Sequence, residues 1–172
     1  MQVDTACAAQ AQMDHGHVPL AVPASAAVPA LSLELEQDPM SGFNLRLLVQ
    51  RYQLRSPPAD LEMAQLMSAG EPDSAGYLEG HAHLYVNGQK VGRLYGTSVH
   101  IPASLLREGS NEITVTLNNH GHMYWTVAGQ QVLATIFLEP GQTPFVRYQF
   151  ASFPADSDAL QGSIVSSRSP GP

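Results

Sequence analysis

The most regular stretch of the chain is "LSLELEQ", residues 31–37, where Leu31, Leu33 and Leu35 alternate with Ser32, Glu34 and Glu36. Strict alternation of apolar and polar residues marks a β-strand with one buried face. After the turn "DPMSG", "FNLRLLVQRYQL" puts Phe43, Leu45 and Leu47 on one face, and a change of phase near Leu48 and Val49 reads as a bulge. From Glu79 onward short apolar runs and turn signals succeed one another: "HAHLYV", "KVGRLYG", "SVHIP", "EITVTL" and "QQVLATIFLE". Asn87-Gly88 between two such runs predicts a tight hairpin, because a primed turn needs positive φ, which Asn and Gly tolerate. In the long connection before them, "SPPADLEMAQLMSAG" predicts a short helix opened by Ser56 or the prolines and closed by Gly70. About seven strands at this spacing predict an all-β fold: an antiparallel immunoglobulin-like or cupredoxin-like β-sandwich over residues 31–140.

The flanks lack this pattern. Residues 1–30, with "VPLAVPASAAVPA", read as a flexible N-terminal tail or linker, since prolines every few positions block regular structure. Residues 141–172 read as a C-terminal extension in which "TPFVRYQFASF" adds an edge strand and the remainder is disordered.

With 172 residues the chain has length for one core and some tail. A charged fraction of 13%, with 14 Gly and 13 Pro, fits a turn-rich β protein. The net charge of −7, with only 8 Lys and Arg, disfavours a nucleic-acid partner and suits a cation. Cys7, the single cysteine, makes no internal disulfide and leaves the sandwich without a thiolate ligand. No apolar run approaches the roughly 18 residues of a membrane span. A secretory signal is not evident at the start, although "AQAQ" would suit the small-residue end of one. Neither a G-x-S-x-G elbow nor a phosphate-cradling glycine loop is present.

The seven histidines clump in four places: His15 and His17, His81 and His83, His100, and His120 and His122. In a strand, His81, His83 and Tyr85 share one face while Ala82, Leu84 and Val86 share the other. The apolar set enters the core, so both imidazoles project together from the opposite face, about 6–7 Å apart along the strand. His120 and His122 follow the alternating strand "EITVTL" and fall at its end or in the loop beyond, where function commonly resides. If these segments and "SVHIP" neighbour one another, His81, His83, His100, His120 and His122 converge as metal ligands. Neutral imidazole suits copper, zinc and nickel, and a neighbouring thioether favours copper. Met123 adjoins His122 and Met13 precedes "DHGH", so Met123, His15 and His17 are accessory candidates, the tail serving as a capture arm. A single H-x-H in a strand is more often an ordinary solvated sheet face. The repetition is what raises the metal reading above it.

The stretch "SGFNLRLLVQRYQLRSPPAD" and "EGHAHLYVNGQKVGRLYGTSVHIPASLLREGSNEITVTLNNHGHMYWTVAGQQV" resembles a family of small secreted bacterial domains. Those domains run S-G-[WF]-N, G-H-A-H-[LI]-Y-V-[DN]-G, R-x-Y-G, H-[LI]-P and T-L-N-x-N-x-H, and the resemblance covers residues 31–138. It implies a periplasmic or secreted immunoglobulin-like sandwich with a copper or other metal site. Residue by residue it carries over His81, His83, His100 and either His120 or His122. Val99 stands where an aromatic is usual, and "NNHGHM" replaces the usual "NANDH", which leaves open which of the last pair is the ligand. Copper-zinc superoxide dismutase offers a weaker analogy, a sandwich with a strand H-x-H, but its glycine-rich signature and disulfide cysteines are missing.

Three functions follow, in order of support. The first is an extracytoplasmic copper carrier, buffer or metallochaperone, more a binding protein than an enzyme, with a metal-delivery protein as partner. A homodimer could complete its coordination sphere from His15 and His17. Because ligand imidazoles must be neutral, its binding should weaken as pH falls through roughly 6–6.5. The second is a copper- or zinc-dependent enzyme, dismutase-like or hydrolytic, which needs a carboxylate base at the site, and the acids close in sequence to the sandwich histidines are Glu79 and, more remotely, Glu112. The third is a structural or adhesion module whose histidines are incidental.

Overall fold

A computed structural model describes residues 18–140 and the strand at 146–153. Twelve strands, one turn of α-helix and, between β7 and β8, one turn of 3-10 helix (Ala103–Leu105) follow in chain order among these residues: β1 (Pro19–Ala21), β2 (Ala30–Gln37), β3 (Phe43–Gln50), β4 (Tyr52–Leu54), α1 (Met63–Leu66), β5 (Leu78–Val86), β6 (Gln89–Leu94), β7 (Ser98–Ile101), β8 (Asn111–Asn118), β9 (Tyr124–Val127), β10 (Gln130–Gln131), β11 (Leu133–Pro140) and β12 (Val146–Phe153). They form two sheets. In the smaller, β3 lies between β2 and β7, antiparallel to both. In the larger, β6, β5, β8, β11 and β12 are antiparallel neighbours in that order.

The all-β sandwich expected from the alternation is therefore the fold. Leu31, Leu33, Phe43, Leu45, Leu47 and Ile101 of the smaller sheet close on Ala82, Leu84, Val86, Ile113, Val115, Leu117, Ala134, Ile136 and Leu138 of the larger one. Period-2 patterning delivers these apolar faces to a common core. Asn87 and Gly88 both have positive φ, 51° and 77°, and turn β5 into β6 as their sequence predicts. The "TPFVRYQFASF" run contributes β12, antiparallel to β11.

Five details differ from the sequence reading. Two pairings are parallel, β4 with β5 and β1 with β9, so the sheet is not wholly antiparallel. The strands exceed about seven because several are pieces of two to four residues. The linker assigned to residues 1–30 extends too far: Pro19–Ala21 pairs with Tyr124–Thr126, and β2 starts at Ala30. Three residues of strand tolerate the proline at their first position. Finally, the phase change falls at Arg51, not at Leu48 and Val49. Arg51 adopts φ 55°, and the chain leaves the smaller sheet there to join the larger as β4. The helix is a single turn, Met63–Leu66, opened at Glu62 rather than at Ser56: the Glu62 amide donates to Gln65 Oε1 at 3.0 Å.

Candidate metal centre

β5 is the strand from which the site grows. Ala82, Leu84 and Val86 face the core, so alternation sends His81 and His83 to the other face, opposite Asn118 and Thr116 of β8. That face is not open to solvent: His81 and His83 are 1% and 0% exposed. Gly80 allows the close approach that begins this arrangement. A Cβ there would collide with the Asn118 carbonyl oxygen and the Tyr52 hydroxyl. Instead the buried Tyr52 hydroxyl donates to that carbonyl at 2.7 Å and accepts from Trp125 Nε1 at 3.0 Å, tying β4, β8 and β9 together beneath the site.

The turn from β8 to β9 supplies the third imidazole. His122 has φ 69°, a left-handed conformation that non-glycine residues adopt at a cost of about 1 kcal/mol or more. Neighbouring side chains hold it there. Asn118 Nδ2 donates to the His122 carbonyl at 3.0 Å, and Asn118 Oδ1 accepts from Thr116 Oγ1 at 2.7 Å. Asn119 accepts from the Met123 amide and donates through Nδ2 to the carbonyls of Leu66 and Ser68, at 3.0 and 2.9 Å, which staples the turn to α1. Gly121 fits because any Cβ would strike the Leu66 backbone.

Three ring nitrogens meet as a result. His81 Nε2 lies 2.9 Å from His83 Nε2 and 3.3 Å from His122 Nδ1, and His83 Nε2 lies 3.2 Å from His122 Nδ1. A ring nitrogen is either donor or acceptor, so three neutral imidazoles cannot satisfy all three contacts with protons: one pair always sets like against like. A cation among them satisfies three lone pairs at once. Metal–nitrogen bonds of about 2.0–2.1 Å put adjacent nitrogens about 2.9 Å apart in square-planar and about 3.3–3.4 Å in tetrahedral coordination, the span of the three distances here. These three residues are a group that could hold a metal ion.

The electrostatics suit a ligand. Burial pushes the His81 imidazole down to about 3, with His83, His122, Arg93 and His120 adding to the shift. His81 is thus neutral around pH 7, as coordination requires. Its Nδ1 is buried with no hydrogen-bond partner, so the tautomer is decided within the cluster rather than by an outer carboxylate or carbonyl. Tyr95 lies against the group, its ring centroid 5.6 Å from that of His81.

His120 turns away from the three. Its Nε2 lies 3.3 Å from Glu79 Oε1, its ring is stacked on His81 at a centroid distance of 6.5 Å, and its Nδ1 is buried without a partner. With Glu79 it lines a pocket of about 550 Å³ completed by Leu61, Gln65, Asn119 and residues 68–71. His100 is not brought to the group. It lies on β7 of the smaller sheet, exposed, with Nδ1 2.9 Å from Asn44 Oδ1. Met123 is buried in the turn that carries His122, while His15, His17 and Met13 fall outside the described residues. Asn118 and Asn119 hold the turn that delivers His122, and Glu79 stands outside the three-histidine group on His120; sequence reasoning singled out only the last. "NNHGH" did carry a signal for the other two, since Asn side chains beside a Gly are common turn organisers.

The chain matches no family model, and no curated protein or solved structure matches it significantly.

Proposed function

We propose that the protein is an extracytoplasmic copper carrier or buffer that holds one ion on His81, His83 and His122. The observation that carries this reading is the triangle of ring nitrogens, 2.9–3.3 Å on a side, in a buried setting that keeps at least His81 neutral. Support for copper is chemical: an all-imidazole donor set with no cysteine in the sandwich, and Met123 next in sequence to a ligand. Support for the location is the resemblance to small secreted domains; among the described residues no helix is long and apolar enough to cross a membrane. A carrier passes its ion to a delivery partner, and His122, the least buried ligand, is the one a partner would displace first.

Calorimetric titration with Cu(II) and Zn(II) tests this. Stoichiometric, tight binding of copper with nitrogen couplings in its electron paramagnetic spectrum is expected, lost in the double variant His81→Ala, His83→Ala. Weak binding that the double variant leaves unchanged would overturn it.

One observation favours a second reading, a metal-dependent hydrolase. Three protein ligands leave a coordination position for water, and Glu79 with His120 stands beside the group as a base. Ester hydrolysis by the zinc-loaded protein, abolished in Glu79→Gln, is its test.

A further inference from the structure

His81 and His83 are almost wholly buried, so an ion needs a route to them. On the β6 side the approach is unfavourable for a cation: Arg93 stands across from His83 in the strand register, and its charge reaches His81. The pocket on the α1 side has the opposite character. Glu71 and Glu79 line it, and the single cation on them among the described ion pairs is Arg55, which takes Glu79 Oε2 at 3.1 Å and leaves Oε1 facing His120. His120 is nine-tenths buried, lines the pocket, and stacks on His81 behind it. One histidine thus separates a negatively charged, solvent-open pocket from the three-histidine group.

We infer that Glu79 and His120 form an antechamber through which a metal ion passes from the pocket to His81, His83 and His122. This rests on the three histidines being the resident site. His120 Nε2 and Glu79 Oε1 are 3.3 Å apart, a spacing at which both can contact one cation. Two protein ligands with water completing the shell hold an ion weakly, and weak holding is what a transit position requires. The ion then exchanges the carboxylate and His120 for the three imidazoles, whose combined donor set is stronger. No bond other than coordination changes, and His120 and Glu79 recover their mutual contact. Asn119 and Gly121, which pin the turn against α1, keep the antechamber wall in place.

The test is kinetic, on the full chain, with Cu(II) supplied from a weak chelate and withdrawn by a strong one in stopped flow. Glu79→Gln keeps the size of the side chain and removes the charge; His120→Phe keeps the ring and removes both nitrogens. Both uptake and release are expected to slow about tenfold, leaving the equilibrium affinity and the nitrogen couplings as they were. Melting profiles check that each variant is folded, and Glu79→Gln decides alone should His120→Phe not fold. Unchanged rates would overturn the antechamber while leaving the three-histidine site intact. Weaker affinity with faster release and altered couplings would overturn it too, by making His120 a resident ligand. Failure of the unaltered protein to bind copper would overturn the site and the antechamber together.

Discussion

The two H-x-H segments among the described residues differ by one central residue and by the backbone that carries them. In His81-Ala82-His83 the backbone is a strand, and alternation points both imidazoles to one side, where their Nε2 atoms come within 2.9 Å. In His120-Gly121-His122 the backbone is a turn, and it separates the pair: His122 joins the cluster through Nδ1, while His120 goes to Glu79. Spacing alone does not make a ligand pair. A strand imposes a common direction on residues i and i+2; a turn imposes whatever its hydrogen bonds dictate.

The largest effect should come from contrasting the two segments directly. His83→Ala and His122→Ala each remove one of three nitrogens, and each should weaken copper binding by more than about a hundredfold, the upper end of what losing an outer-shell partner costs. His120→Phe should leave equilibrium affinity near that of the unaltered protein. Calorimetry on the three variants breaks the comparison if His120→Phe and His122→Ala lose affinity alike.

The glycines make the contrast one of stability. Gly80 precedes the strand pair and Gly121 sits inside the turn pair, and a methyl group on either meets backbone: Asn118 for Gly80, Leu66 for Gly121. Gly80→Ala strikes between β5 and β8, two central strands, and should cost about 1–3 kcal/mol in urea unfolding. Gly121→Ala strikes α1, a single turn with no buried residue that can shift, so its stability loss should be smaller and its loss of copper affinity larger. Equal stability losses would show that the turn is as rigid as the sheet.

Acid should act through the strand pair. The folded His81 takes up a proton only near pH 3, whereas an unfolded histidine does so near 6.5. Between those values the unfolded state binds the extra proton, so stability is complete above about pH 6.5 and falls as the pH drops toward 3, at up to about 1.4 kcal/mol per pH unit. Urea midpoints of the metal-free protein across pH 7 to 4 check this, and His81→Phe should flatten the profile. For the same reason His81 competes for protons only below the 6–6.5 window of an ordinary histidine.

What could be read from the chain followed from local rules. Leu31, Leu33 and Leu35, or Ile113, Val115 and Leu117, announce a half-buried strand because each obeys a period of two that no distant residue sets. The direction shared by His81 and His83 was legible on the same ground. Their burial was not, since the rings packed against them, His120 and His122 of the β8–β9 turn and Tyr95, come from segments distant along the strand pattern. The choice of His122 over His120 depends on a left-handed φ and the grip of Asn118, both consequences of tertiary hydrogen bonding. Likewise Arg51, where the chain changes sheet, looks like any other strand residue until β4 finds β5.

That grip can be weakened in isolation. Asn118→Ala removes the donor to the His122 carbonyl and the acceptor for Thr116 Oγ1, leaving the three imidazoles in place chemically but the turn less well held. Copper affinity should fall about tenfold, the lower end of the effect of an outer-shell partner, with nitrogen couplings retained in the spectrum. Loss of one coupling would mean that Asn118 alone decides whether the turn delivers His122.

The smallest effect is expected at His100, and it separates proximity in motif from proximity in space. "SVHIP" resembles a third ligand segment, yet β7 pairs with β3, so Asn44 faces His100 across the smaller sheet. There His100 Nδ1 contacts Asn44 Oδ1 at 2.9 Å and approaches Asp38 Oδ2 at 4.0 Å, in an exposed setting. Asp38 already accepts from Asn44 Nδ2 and from the Met40 amide, which chiefly hold its carboxyl below the usual range, so the imidazole adds little to the surface turn. His100→Ala should therefore leave copper stoichiometry and affinity unchanged and move stability by no more than about 0.5 kcal/mol, as surface substitutions generally do. A drop in affinity comparable to that of His122→Ala would mean that the smaller sheet reaches the ion after all, a result the pairing of β7 with β3 rules against.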